Sequence, residues 1–204
     1  MEIKEALKEL RLQKKRKFVQ TLDLIVNLRS FDVRKEALNT FVSIPNPSPK
    51  KVCAFLTKRS KVVDTITEID FEKYNDVGNV KKLAKKYDMF IAVAPMMSKV
   101  ATKFGRVFGP LGKMPSPQAG IITKETEETI KEMVEKVGSV VRVRNKEMAI
   151  KIPVGKENMS DEKLEENIQN VVAGLEGKLP KGKENVREIL IKFTMTKPIK
   201  IMEK

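Results

Sequence analysis

The segment Val80-Lys-Lys-Leu-Ala-Lys-Lys-Tyr-Asp-Met-Phe-Ile-Ala-Val-Ala94 changes its period at Asp88. Before that point Val80, Leu83, Ala84 and Tyr87 recur at helical spacing, and the lysines between them belong on a solvated face. After it, Met89–Ala94 is apolar without alternation, as in a strand buried on both sides. A helix that delivers the chain into such a strand predicts a parallel α/β unit. A further helix then leads into Lys103-Phe-Gly-Arg-Val-Phe-Gly-Pro-Leu-Gly-Lys-Met-Pro-Ser-Pro-Gln-Ala-Gly120, with four glycines, three prolines and three cations. The reading here is a shaped loop, its glycines permitting positive φ and its prolines stiffening the exits. No Asp or Glu occurs from Met89 to Lys124, so nothing there repels a polyanion. A helix from about Lys124 to Val137, with Ile130, Met133, Val134 and Val137 on one face and Gly138 just past its end, closes this middle region.

The chain on either side has a different character. Residues 2–16 place Ile3, Ala6, Leu7 and Leu10 at helical spacing and finish in Lys14-Lys-Arg-Lys17, cations that suit a helix C-terminus. From Phe18 to Leu28 the period is two, with Phe18, Gln20, Leu22, Leu24, Val26 and Leu28 on one face. Strands are expected at Leu38–Ile44 and Val52–Leu56 around the turn Pro45-Asn-Pro-Ser-Pro49. Near the other end come a strand Met148–Ile152, a helix opening at Ser160 and carrying Leu164, Ile168, Val171 and Val172, and a strand Glu188–Thr196. Two such end pieces, neither sufficient alone, predict one split domain (1–57 and 148–204) with another inserted (58–147).

Composition narrows the chemistry. The 204 residues carry 41 Lys+Arg against 27 Asp+Glu, a net charge of +14, which favours phosphate-bearing partners and nucleic acid first. A charge-rich protein adapted to heat or salt is the bland alternative. With no histidine and a single cysteine, Cys53, in an apolar run, the Ser-His, Cys-His and zinc constellations cannot be assembled. No metal or cofactor is expected, and a buried reduced thiol points to the cytosol. No apolar run approaches the roughly 18 residues of a membrane span, so no membrane partner is expected. Gly109-Pro-Leu-Gly112-Lys113-Met114 invites comparison with a phosphate-binding loop, but that motif needs Gly in place of Val107 and Ser or Thr in place of Met114. Two rival readings stay open at this point: an α/β nucleotide-binding enzyme with Lys113 on a phosphate, and a generic basic assembly factor that binds any RNA.

The last strand supplies a separate constellation. Leu190, Lys192, Thr194 and Thr196 share one face, while Ile189, Ile191, Phe193 and Met195 share the other. If it lies beside Phe18–Leu28, Thr21 and Asp23 join it, giving hydroxyl donors, a carboxylate for ribose hydroxyls and Lys17 for charge.

The stretch Phe104 to Pro115, matching a family signature of a helix leading into Gly-Pro-x-Gly-x-x-Pro, together with Phe18-Val-Gln-Thr21 and Lys192-Phe-Thr-Met-Thr-Lys-Pro198, resembles the large-subunit ribosomal protein L-one family of the mobile exit-site stalk, in its archaeal branch. The resemblance covers nearly the whole chain. It implies a split α+β domain of two layers, ferredoxin-like or RRM-like, built from both chain ends, an inserted three-layer α/β, Rossmann-like domain, and two hinge strands between them. It also implies a non-enzymatic, ribosome-associated, cytoplasmic protein that binds the ribosomal RNA of the stalk, meets exit-site tRNA and represses its own messenger RNA; a monomer is the default expectation outside the ribosome. Residue by residue, the family's RNA contacts fall on Lys17, Phe18, Thr21, Thr194 and Met195, and on Lys146 and Lys151 near the hinge. With the strand reading, the candidate RNA-binding set adds Asp23, Lys192, Thr196 and Lys197. The family's signature stretch is Phe104, Gly105, Gly109, Pro110, Gly112, Lys113 and Pro115. Three departures stand out: Thr196 in place of a usual Gly, Val19 in place of a usual Thr, and a segment Lys58–Asp70 short enough for the inserted domain's first helix to be reduced or lost.

Overall fold

The period-two segment becomes strand β1 (Thr21–Leu28), in which Leu22, Leu24, Val26 and Leu28 are buried and the alternate residues are half open. The computed structural model describes all residues except Lys15, Lys35, Ala37, Lys146 and residues 202–204. Strand β1 pairs antiparallel with β9 (Val186–Phe193) on one side and β8 (Ala149–Lys156) on the other, and β10 (Ile199–Ile201) extends the sheet beyond β9. Helices α1 (Ile3–Leu12) and α5 (Asp161–Glu176) bury Leu7, Leu10, Leu164, Ile168 and Val171 in one cluster with Leu22, Leu24, Ile152, Ile191 and Phe193. A second antiparallel pair, β2 (Asn39–Ser43) with β7 (Val140–Arg144), belongs to the same compact unit, which comprises Met1–Ser48 and the chain from Ser139 onward.

The second unit, Pro49–Gly138, is a parallel sheet of β4 (Asp64–Ile66), β3 (Val52–Phe55), β5 (Met89–Val93) and β6 (Ile121–Ile122), hydrogen-bonded in that order. Both of its faces are covered, which is why β5 does not alternate. On one, Cys53, Phe55, Phe90 and Ala92 pack with residues of α2 (Val77–Lys86) and α3 (Met97–Leu111). On the other, Ala54, Ile91 and Val93 are equally buried, and α4 (Glu127–Gly138) packs on β5 and β6. Phe55, Phe90, Phe104 and Phe108 form an aromatic centre, with the Phe90 and Phe108 rings stacked 4.4 Å apart. Burying each such ring contributes about 1.5–3 kcal/mol.

Several expectations shift. Val52–Phe55, assigned to the split domain from sequence, pairs in parallel with β4 and β5 and so sits in the second unit, whereas Val140–Arg144 pairs with β2 in the first. The segment Lys58–Asp70 holds β4 and the start of a 3-10 helix, Glu68–Tyr74, but no α-helix. Hydrogen bonds from Lys73 and Thr67 bring the Asp70 carboxyl down to about 2, and Asp70 and Thr67 cap this helix reciprocally.

The largest difference concerns Lys103–Gly120, whose first half is helical rather than a loop. Val100, Phe104, Val107 and Phe108 recur along the buried face of α3. The burial of two phenylalanines outweighs roughly 1 kcal/mol for each of Gly105 and Gly109, and Pro110 falls in the last turn, where one helical hydrogen bond is forgone. The true loop runs from Gly112, whose φ of 69° ends the helix, to Gly120, at φ 137°. A Cβ at Gly120 would lie 3.0 Å from the Phe90 carbonyl oxygen, whereas one at Gly105 meets nothing within 4 Å. Gly120→Ala should therefore lower stability by about 1 kcal/mol or more, and Gly105→Ala should raise it by about 0.5–1 kcal/mol; thermal unfolding of the two variants measures both signs.

Candidate nucleic-acid interface

Beyond Phe193 the chain leaves the sheet in a turn built by its own threonines. The Thr196 hydroxyl accepts the Phe193 N–H at 2.9 Å and donates to the Phe193 carbonyl at 3.2 Å, while the Thr196 N–H donates to that same carbonyl at 3.1 Å. The Thr194 hydroxyl accepts the Thr21 N–H at 3.1 Å and donates to the Thr21 carbonyl at 3.3 Å, which also takes the Thr194 N–H at 3.1 Å. The Met195 N–H donates to Gln20 Oε1 and the Lys197 N–H to Gln13 Oε1, each at 3.1 Å. Every backbone N–H from Thr194 to Lys197 is thus taken within the protein. Among the described residues, none donates to the carbonyls of Thr194, Met195 or Thr196. The turn offers acceptors only: it suits ribose 2′-hydroxyls and base amino groups and is unsuited to cradling phosphate.

The surroundings complete the chemistry. Phe18, Val19 and Met195 are 52%, 57% and 56% exposed, an unusual apolar display for residues next to so much charge. Lys14, Arg16, Lys17 and Lys197 are all exposed nearby in the chain. On the outer face of the sheet Asp23 stands opposite Lys192, and Lys151 stands opposite Ile25 one step further along. Burial raises the Asp23 carboxyl above its ordinary value, and Lys192 pulls it partly back.

The structure accordingly brings Thr21, Thr194, Met195, Thr196 and Lys197 together, with Lys17 and Phe18 leading into them, and sets Asp23, Lys151 and Lys192 on the adjoining sheet face. Lys146 lies outside the described residues. The strand expected to reach Thr196 stops at Phe193, so Met195 does not share the buried face of Ile191 and Phe193 but is exposed. The hydroxyls of Thr194 and Thr196, expected to face a ligand, bond to the protein's own backbone. Sequence reasoning missed Gln13, Gln20 and Glu157. Gln20 is 2% exposed, and its Nε2 donates to Glu157 Oε2 at 3.3 Å. A signal existed: a glutamine on the otherwise apolar face of Phe18–Leu28 must find partners if it is buried.

The description "Ribosomal protein L1p/L10e family" matches residues 7–197. The chain is 32% identical over 209 residues to the large ribosomal subunit protein uL1 of Nanoarchaeum equitans, covering 97% of this chain and 98% of that one. It is 34% identical to the uL1 protein of Pyrococcus horikoshii, over 98% of this chain and 94% of the relative. Identity to the protein of the same name from Methanobrevibacter smithii is 35%, over 98% and 99%.

The glycine-rich stretch lies in the other unit and has a structural use. Phe104, Gly105, Gly109 and Pro110 belong to α3, and Gly112 and Pro115 follow it. Lys113 Nζ donates to the carbonyls of Ala84 and Tyr87, each at 2.7 Å, closing the C-terminal end of α2. Its charge is committed there, which removes the phosphate-binding role that the nucleotide-enzyme reading gave it. Burial, with Asp64 nearby, pushes the Cys53 thiol up to about 12, far from a nucleophile's range. Among the described residues no three His, Cys, Asp or Glu side chains are grouped to hold a metal, and no helix is long and apolar enough to cross a membrane. Lys113→Met should lower stability by about 1–2 kcal/mol through the two lost carbonyl bonds, and adding a nucleotide triphosphate to the wild type should leave its melting temperature unchanged, both read by thermal unfolding.

Proposed function

The chain belongs to the ribosomal protein L1p/L10e family, and from that membership we propose that it is a structural, non-enzymatic constituent of the large ribosomal subunit that grips the ribosomal RNA of the exit-site stalk with the Thr194–Lys197 turn. The observation that carries the reading is the acceptor-only turn beside exposed Phe18 and Met195. Carbonyls take hydrogen bonds from 2′-hydroxyls, the exposed aromatic ring and thioether cover a sugar or a splayed base, and Lys14, Arg16, Lys17 and Lys197 hold phosphates around them. Such a surface separates specificity from affinity: the turn recognises a folded RNA shape, and the lysines supply a sequence-independent, salt-sensitive attraction.

The split unit, with two helices on one face of its antiparallel sheet, is read as the ferredoxin-like RNA-binding domain, and the unit with both sheet faces covered as the Rossmann-like insert. To the insert we assign a second polyanion, exit-site tRNA, supported by the exposed cations Lys81, Lys82, Lys85 and Arg106 on α2 and α3 and by the absence of carboxylates from Met89 to Lys124. A messenger that folds into the same RNA shape would compete for the same turn, which is the basis for repression of the protein's own synthesis. The place of action is then the cytoplasmic ribosome. The rival of a generic RNA-binding polycation predicts no preference for shape.

Titration with a stalk RNA fragment and a base-paired control RNA, from low to physiological salt, separates these readings. The expected result is a preference for the stalk RNA that survives physiological salt. Thr194→Ala should weaken it by roughly 1 kcal/mol or more, and Lys17→Ala should mainly reduce the salt slope by about one. Equal binding of both RNAs that vanishes with salt would contradict the proposal.

A further inference from the structure

An amide side chain has two chemically opposite ends of nearly equal shape, so a buried glutamine holds one orientation only if its partners distinguish them. At Gln20 they do. Its Oε1 meets the Met195 N–H, a donor, and its Nε2 meets the Glu157 carboxylate, which is acceptor-only when ionised. The same carboxylate oxygen accepts the Gln20 backbone N–H at 3.2 Å, and the Glu157 N–H donates to the Gln20 carbonyl at 2.8 Å, so the two residues interlock through both main chain and side chain. Glu157 is itself anchored. Arg11, from α1, donates to the Glu157 carbonyl at 2.9 Å, to the Met159 carbonyl at 2.7 Å and to Asp161 Oδ1 at 2.7 Å.

We propose that Gln20 and Glu157 are positioning residues for RNA recognition, in which the Glu157 carboxylate fixes the polarity of the Gln20 amide and the amide fixes the Met195 turn that the RNA reads. The inference rests on the RNA-binding function proposed above. Neither side chain has to touch the RNA. With the amide reversed, its NH2 would face the Met195 N–H, donor against donor, and the turn would lose the bond that fixes the backbone at Met195.

Charge and polarity can be separated because the two residues are an amide and its acid. Gln20→Glu sets two carboxylates against each other; Glu157→Gln leaves the amide without a polarity guide; the double exchange restores one donor and one acceptor between the pair at unchanged net charge. In titrations with the stalk RNA at three salt concentrations, Gln20→Glu should bind about tenfold more weakly than wild type, by the cost of an unmade buried hydrogen bond. Glu157→Gln should bind more weakly although it makes the protein more positive, and the double exchange should return to within about threefold of wild type, as a coupled pair requires. The dependence of affinity on salt should be the same for all four proteins, since no phosphate contact changes.

Tighter binding by Glu157→Gln than by wild type would show that only net charge mattered and would overturn the proposal. So would a double exchange no better than Gln20→Glu. Thermal unfolding of each protein checks its fold, and because Glu157 is only half buried, Glu157→Gln provides a test even if Gln20→Glu does not fold. A wild type with no preference for stalk RNA over duplex RNA would refute the binding function itself, an outcome distinct from wild-type preference that all three variants retain in full, which would refute the positioning role alone.

Discussion

The pairing of Thr21 with Thr194, backbone to backbone and hydroxyl to backbone, is the closure on which the first unit depends. It joins the two ends of the chain at the rim of the β1–β9 ladder, where Leu22 stands opposite Phe193. A long loop closure of this kind is costly in entropy, and the shared cluster of Leu7, Leu22, Leu24, Ile191 and Phe193 offsets that cost. Once the ladder is closed, the four N–H groups beyond Phe193 go to the Thr21 carbonyl, Gln20 Oε1, the Phe193 carbonyl and Gln13 Oε1. The binding character of the turn follows from this accounting. A segment with its donors spent and its carbonyls open is selective for groups that donate, and RNA differs from DNA by one such group on every sugar.

The inserted unit has its own basis of stability. Its parallel sheet is covered on both faces and centred on four phenylalanines, and the Lys113 ammonium ties the signature loop to the end of α2. The family's signature stretch is therefore largely architectural here: the end of α3, a left-handed glycine, and a loop returning to β6. The motif most conspicuous in the sequence builds the insert, while the residues that shape the candidate RNA surface are common threonines and glutamines.

That contrast explains what could be read from the chain alone. The period of two in β1, the unalternated run of β5 and the apolar stripe of α5 each reflect burial, which composition records directly, and the mixed α/β, two-unit arrangement follows from their order. Strand β7 escaped because Val140-Val-Arg-Val-Arg144 is mostly half open and carries little contrast between its faces. The helical half of Lys103–Gly120, implied by the family signature, escaped the reading of local preference, which favours a loop wherever Gly and Pro gather and which the tertiary burial of Phe104 and Phe108 reverses. At the site, sequence correctly brought Thr21 and Thr194 to one place but assigned the Thr194 hydroxyl outward. Its real partner, the Thr21 backbone, lies at the far end of the chain, and no local pattern encodes such a hydrogen bond. Gln20 was visible only as a polar residue on the wrong face.

The most direct test of the acceptor turn is to replace single 2′-hydroxyls of the stalk RNA with hydrogen, one nucleotide at a time, and measure affinity for the wild-type protein at physiological salt. The account predicts losses of about fivefold or more confined to a few sugars, with the salt slope unchanged, as expected for buried hydroxyl donors meeting carbonyls. Full tolerance of 2′-deoxy substitution at every position would contradict it, and the turn would then have no part in distinguishing the RNA.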